Sequence, residues 1–254
     1  MRKWSRCILS TFLLAATLSA QRLTIYCEDD APMQFKAPDG TLSGMTVEIV
    51  REIQTRVSNT DPIEMVPWAR GLNALNTEPN TVLFSMGRTA ERNDLYQWVG
   101  PIAESAFGLY VKAESLIVIK DLQEAKSVRA IGVYRDDIRD QFLTKAGFRN
   151  LERTTDNIQN FKKLMSGRID MYASSSNDIK GNAEQAGFQL SDVKLVHVFL
   201  RTQIFIAMSK KTDPAVVSKW NAALAAMKKD GSFRIIFKKY YPDRKLPGPE
   251  ITKF

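Results

Sequence analysis

The chain has 254 residues, with 36 Lys and Arg against 28 Asp and Glu, one His and two Cys, for a formal net charge of +8. That length supports one large domain or two small ones with a real core. No dense Lys/Arg tract with interleaved aromatics occurs, which argues against nucleic acid as a partner, and no Gly-rich phosphate loop occurs, which argues against nucleotides.

Residues 1–20 carry a basic start (Arg2, Lys3, Arg6), an apolar run over 8–18 and a small-residue end at Ser19 and Ala20. This is the pattern of a secretory signal peptide, too short for a mature spanning helix. Its removal leaves 254 minus 20, or 234 residues, and a balance of about +5. Cys27 is then the one cysteine, so no intramolecular disulfide is expected and the apolar core must carry the stability.

Residues 22–27 read as a buried strand that opens into an acidic loop, Glu28-Asp29-Asp30-Ala31-Pro32-Met33. After the turn signal Pro38-Asp39-Gly40, the apolar positions Thr46, Ile49, Val50, Ile53 and Val57 repeat at helical spacing up to Ser58. A short strand over 63–66 follows, then a helix begun at Pro67 with Leu72 and Leu75 inward, then a strand over 82–86. Strand, helix, strand, helix, strand in this order predicts parallel pairing with crossover helices.

Gly87 then allows a sharp turn, and Thr89 with Glu91 suits the opening of a helix that presents Arg88 and Arg92. A guanidinium there offers a planar fork of donors that fits a carboxylate, so the stretch reads as an anion-reading loop; solvated surface arginines are the alternative. Trp98 to Pro101 breaks the pattern, and a strand over 107–112 precedes a polar linker at 113–115. A second α/β series follows, with strands over 128–134 and 169–173 and helices over 136–146, 156–166 and 177–186. Strands over 195–200 and 203–208 flank Arg201-Thr202, and a long helix runs over 214–229.

Two α/β lobes account for this order, and ligands of such sheets bind at the carboxyl ends of strands, where two lobes face across a cleft. Trp68, Arg70, Gly87, Arg88 and Arg92 follow strands of the first series; Tyr134, Asp136, Asp137 and Ser174 to Asn177 follow strands of the second. The same residues have plainer readings, Trp68 as packing and Asp136 and Asp137 as helix caps. His197 lies on an apolar strand without metal-ligand spacing around it, and the triple serine lacks a nucleophile-elbow context. Neither a cofactor nor a metal is expected.

The chain resembles the family-three extracellular solute-binding proteins, the polar amino-acid-binding components of bacterial importers. The resemblance is carried by residues 25–33, Asp39-Gly40 to Gly44, Phe84-Ser85-Met86-Gly87-Arg88-Thr89-Ala90-Glu91-Arg92, Val99-Gly100-Pro101, Ile131-Gly132-Val133 and Gly167-Arg168-Ile169-Asp170. It implies an α/β fold of the type II periplasmic-binding-protein kind, with two hinge crossovers and a central cleft. Lobe one is then 21–112 with 203–254, and lobe two is 113–202.

By the same resemblance, Arg92 grips a ligand carboxylate, Trp68 stacks on the ligand side chain, and the backbone at Ser85 and Gly87 meets the ammonium and carboxylate. The family's lobe-two Gly-Thr falls at Asp136-Asp137, and its ammonium-pairing aspartate falls at Ser175. Arg70 and Arg88 beside Arg92 suit an acidic or aromatic ligand; Asp29, Asp30, Asp136 and Asp137 suit a cationic one; Trp68 serves either. The resemblance implies a monomeric periplasmic protein that hands a small polar solute to the permease of an ABC importer and is not an enzyme. A sensor input to a membrane signalling partner is the second reading. A dehydratase acting on cyclohexadienyl acids is the third, with Glu28, Asp136 and Asp137 as its acid or base candidates.

Overall fold

The structure, a computed structural model, describes residues 22–251. The signal-peptide reading lies outside the described residues. The chain forms, in order, β1 (Thr24–Cys27), β2 (Phe35–Lys36), β3 (Leu42–Ser43), α1 (Met45–Val57), β4 (Ile63–Met65), α2 (Trp68–Thr77), β5 (Thr81–Gly87), α3 (Ala90–Asn93) and β6 (Tyr96–Lys112). It continues with β7 (Ile131–Tyr134), α4 (Ile138–Lys145), β8 (Leu151–Thr154), α5 (Asn157–Met165), β9 (Met171–Ser175), α6 (Ile179–Gln185), β10 (Val193–Ser209), α7 (Pro214–Asp230) and α8 (Ser232–Tyr240).

Eight strands form one sheet in the order β4-β1-β5-β10-β6-β9-β7-β8. The crossover reading holds at both ends, where β1 is parallel to β4 and β5, and β7 is parallel to β8 and β9. Between them run two antiparallel strands of 17 residues each, β6 and β10, paired along their length. Each end of the sheet has its own apolar filling. Phe84, Ile49 and Trp220 pack at the β1–β5 end with Trp68, Leu75 and Leu83 in a further cluster, whereas Leu109, Val133, Leu143 and Met171, with Phe161 and Tyr172, fill the β7–β9 end.

The long central strands differ from expectation. The break expected at Trp98 to Pro101 lies inside β6, and the two strands expected on either side of Arg201-Thr202 are the single strand β10. The reason is a bulge: Ile204 pairs with Ala103 and Ile206 with Val99, so Gly100 to Ile102 stand opposite Phe205 alone. Pro101, which has no amide proton to give, sits where the ladder needs none. A Cβ at Gly100 would lie 2.3 Å from the Phe205 ring, so only glycine lets that ring close over the strand. β8 was not anticipated, because Leu151-Glu152-Arg153-Thr154 is polar at three of four positions and lies at the sheet edge.

Helix starts follow the sequence more closely. Asp156 accepts from the amides of Ile158 and Gln159 and opens α5; Asp137 does the same for Arg139 and Asp140 and opens α4. Asp213 and Pro214 open α7. Among the described residues no helix is long and apolar enough to cross a membrane.

Candidate functional site

The segments that leave β1, β5, β7 and β9 converge where the two ends of the sheet face each other, and enclose a cavity of about 40 Å³. From the β1–β5 end come Glu28, Asp30, Trp68, Ser85, Gly87 and Arg92. From the β7–β9 end come Asp137, Arg139, Ser175, Asn177 and Asp178, while the central strands add Ser105, Phe107 and Ile204.

Two arginines with different surroundings dominate the wall. Arg92 is only 4 % exposed; its Nε and Nη2 donate to Gln141 Oε1 at 3.3 and 2.9 Å, and its Nη1 donates to the Gly87 carbonyl at 3.3 Å. Its guanidinium lies 5.8 Å from the Trp68 ring centre, and Trp68 Nε1 donates to the Asp136 carbonyl at 3.1 Å, tying the two halves together. Burial lowers the Arg92 pKa against the opposing pull of Asp137. Arg139 is equally buried but ion-paired twice, through Nε to Asp137 and through Nη1 to Asp178 at 3.0 Å. Burial alone would draw the proton from Arg139, but Asp137 and Asp178 outweigh it and hold the charge firmly.

Ser175 supports Asp178 rather than facing a ligand directly. Its amide donates to Asp178 Oδ1 at 2.8 Å, and its hydroxyl bonds the same oxygen. Ser85 has φ of 66°, a left-handed conformation that aims its hydroxyl at Gln34 Oε1, 2.6 Å away, where Thr46 also donates at 2.7 Å.

The carboxyls on the β1 side are the least satisfied. Glu28 is 7 % exposed, yet its Oε2 has no hydrogen-bond partner, and neither have Asp30 Oδ1, Ser105 Oγ and Asn177 Nδ2, all enclosed by the protein. Burial raises the Glu28 pKa to about 8, with Asp137 and Asp178 pushing the same way and Arg139 opposing. Asp30 is raised well above its ordinary value by burial and by the nearby Asp178 and Glu28. The Tyr134 hydroxyl stands beside Glu28 and is itself pushed up, chiefly by burial and then by that carboxyl.

These shifts set a pH dependence for the unliganded protein. A carboxyl whose folded pKa exceeds its unfolded one takes up a proton on folding, so its contribution is full below the unfolded value and is lost as pH rises towards the folded value. For Glu28 that window runs from its ordinary 4.5 to about 8, with a slope of up to about 1.4 kcal/mol per pH unit for each such proton. Melts of the unliganded protein are expected to give a higher Tm near pH ~5.5 than near pH ~8.5, and Glu28→Gln is expected to flatten that profile. A profile unchanged by Glu28→Gln would show that this carboxyl does not bind the proton.

Of the residues singled out in the sequence, Arg92, Trp68, Ser85, Gly87, Asp30, Asp137 and Ser175 line the cavity, and Tyr134 stands behind Glu28. Arg70, Arg88 and Asp136 do not reach it. Arg70 is exposed on α2. Arg88 turns away: Nε and Nη2 donate to Asn93 Oδ1, Nη1 pairs with Glu250, and the guanidinium lies over Trp98 and Phe205 at 5.5 and 5.2 Å. Asp136 contributes only its carbonyl, because φ of 61° sends its side chain outward; Asp29 is likewise exposed. The expected anion-reading helix start is a single turn, α3, whose Thr89 side chain makes no cap bond, so Arg92 acts there by its own side chain.

Asn177, the end of the stretch 174–177 singled out in the sequence, also lines the cavity, whereas Arg139, Asp178, Ser105 and Gln141 were not anticipated. Asp178 follows Ser175 by three residues in the loop after a predicted strand, a position that carried a usable signal. Arg139 and Gln141 read as ordinary helix-surface residues in sequence. His197 lies half-buried on β10, and among the described residues no group of three or more His, Cys, Asp or Glu is placed to hold a metal. Cys27 is buried, and burial with the acidic neighbours Glu28 and Asp29 pushes its thiol up to about 12.

A family model for bacterial extracellular solute-binding proteins, family 3, matches residues 23–243. The chain belongs to that family. Its fold is shared with an ancestral arginine-binding protein bound to arginine, at 23% identity and a TM-score of 0.75 over 87% of this chain and 99% of that one. A substrate-binding protein of an ABC uptake transporter from Streptococcus pneumoniae with bound histidine gives 17% identity and 0.78 over 89% and 95%. A histidine kinase sensor domain with similarity to periplasmic binding proteins gives 18% and 0.78 over 86% and 96%. No curated protein sequence matches the chain at a significant level. The solute-binding family and its two-ended α/β fold were both legible from the motif order.

Proposed function

We propose that this is an exported receptor for a small polar solute, whose two halves, 21–112 with 203–254 and 113–202, close as lobes over the ligand and present it to the permease of an ABC importer. The observation that carries the reading is Arg92. A guanidinium 4 % exposed at the meeting of the two halves has as its partners a neutral amide oxygen, Gln141 Oε1, and a carbonyl. A buried arginine normally faces a carboxylate, so a ligand carboxylate displacing Gln141 completes the pairing that the protein leaves open. The cavity of about 40 Å³ has room for a few waters at roughly 10–15 Å³ each, so a solute enters as the halves part.

Trp68 supplies the apolar wall under such a ligand, and Ser85 and Gly87 the adjacent backbone. Delivery to an importer is supported by the histidine-bound transporter component among the similar folds. The likeness to a histidine kinase sensor domain supports a second reading, in which ligand-induced closure is sensed by a membrane signalling partner. Both share the same cleft and differ in the surface that reads the closed form.

A thermal-shift screen of amino acids, polyamines, aromatic acids and dicarboxylates tests the reading, since a ligand that binds only the folded state raises its Tm. For any carboxylate ligand found, Arg92→Ala is expected to weaken binding by about 1.5–3 kcal/mol, the usual worth of a charged hydrogen bond. An undiminished shift in that variant would remove Arg92 from the site. Conversion of any of these compounds, followed by NMR, would replace the receptor reading with an enzymatic one.

A further inference from the structure

The cavity wall carries four carboxyls, Glu28, Asp30, Asp137 and Asp178, against two guanidiniums, Arg92 and Arg139. Their pairing is uneven. Arg139 is committed to Asp137 and Asp178, and Arg92 is turned toward Gln141 and the Gly87 carbonyl. The unused negative capacity therefore lies on one short segment, the loop after β1: Glu28 bonds Tyr134 and Asp30 bonds Asp178 through their side chains, but Glu28 Oε2 and Asp30 Oδ1 are enclosed and without partners. Ser105 Oγ and Asn177 Nδ2, also buried and unpartnered, line the same cavity. Four unpartnered polar atoms on one cavity mark a place where a ligand supplies the missing bonds.

We infer that Glu28 and Asp30 form a proton-exchanging acidic subsite that takes the positively charged end of the ligand, an amine. This deepens the proposed receptor function and rests on it. Two carboxylates this close to Asp178, Glu28 buried and Asp30 half-buried with one oxygen enclosed, cannot stay ionised together without a counter-ion. In the ligand-free cleft they hold protons; when an ammonium enters, its N–H groups bond the carboxylate oxygens and the displaced protons pass to solvent. The groups that face the pair are Arg139, Asp137 and Tyr134 from the β7–α4 side, Asp178 and Tyr172 from β9 and the loop after it, Arg92 from α3 and Tyr241 beyond α8. Arg139 is the cation that reaches both carboxyls, but it is shared with two other aspartates and leaves both orphan oxygens unbonded.

The alternative chemistry has the opposite sign. Were Glu28 to stay protonated and donate to a ligand oxygen, an anionic ligand would bind with proton uptake. Titration calorimetry in two buffers of different ionisation enthalpy separates the two, with L-lysine, 1,4-diaminobutane, L-glutamine and L-glutamate as probes. The expected result is that a cationic probe binds with release of about one to two protons near neutral pH, its affinity rising up to about tenfold per pH unit for each proton released between pH ~6 and pH ~8. Glu28→Gln is expected to lower the proton count by about one, and Asp30→Asn offers an independent check. The wild-type proton count stands by itself should either variant fold poorly. Binding of glutamate with proton uptake, or binding of any of the amine probes with no buffer-dependent heat, would overturn the acidic subsite and leave the receptor reading standing. No binding of any of the four while another compound of the wider screen binds would overturn the acidic subsite alone, and no binding across that whole screen would overturn both.

Discussion

Replacing Arg139 by methionine is expected to cost about 3–5 kcal/mol of stability at neutral pH, the usual loss when one member of a buried ionic cluster is removed. For a chain of this size that is a fall in Tm of roughly 6–20 °C. Methionine fills much of the same volume, so the loss comes from charge rather than from a void. Asp137 and Asp178, 5 % and 2 % exposed, would be left facing each other with no cation between them. Two further measurements identify the cause. The deficit should shrink in acid, because the stranded carboxyls then take up protons and folding no longer opposes their charge. Adding Asp137→Asn and Asp178→Asn should recover most of the loss, since a neutral cluster of similar shape replaces a buried ionic one at little cost and asparagine still caps α4. A loss under about 1 kcal/mol in the single variant would show that Arg139 is solvated and that the cluster does not organise this wall.

The same cluster shows what the sequence could and could not reveal. Alternation, caps and turn glycines made the α/β order legible, and the strands that end at Cys27, Gly87, Tyr134 and Ser175 pointed at the rim of the sheet that borders this cavity. The motif around Arg92 and Trp68 located the β1–β5 wall, because those residues act close to where the chain turns. The opposite wall was misjudged by short steps. Asp136 and Asp137 read as a pair, but the left-handed backbone at Asp136 turns one side chain out and leaves the other as a cap and ion partner. Arg139 looked like a helix-surface cation, and only the fold brings it to Asp178, 39 positions later in the chain. Arg88 and Arg92 are four apart and were read together; the two aromatic rings of Trp98 and Phe205, brought in by β6 and β10, hold one of them elsewhere. Spacing along a chain sets direction within one element, whereas pairing between halves depends on contacts that no local pattern encodes.

Gly181→Val is expected to weaken binding of every cleft ligand by more than about 100-fold while leaving the fold intact. Gly181 lies on α6, three residues beyond Asp178, and a Cβ built there would lie 2.2 Å from the Ala31 carbonyl oxygen and 2.8 Å from its carbon. Ala31 follows Asp30 in the loop after β1, so this contact joins the segments that carry opposite walls of the cavity. Its partner is backbone, which cannot swing aside as a side chain does, and valine adds two further carbons in the same space. The closed arrangement is therefore penalised by about 3 kcal/mol or more, the upper range for overpacking, which is a loss of over roughly 100-fold in affinity. The halves can part to relieve the clash, and a helical valine is slightly favoured over glycine, so the variant should stay folded, with an unliganded Tm lowered by no more than the contact at Ala31 contributes. This separates closure from recognition: Arg92→Ala weakens carboxylate ligands, whereas Gly181→Val weakens all of them, whatever their charge. Wild-type affinity in Gly181→Val would mean that ligand is held without the two halves meeting at Ala31, and the hinged-cleft mechanism would fall.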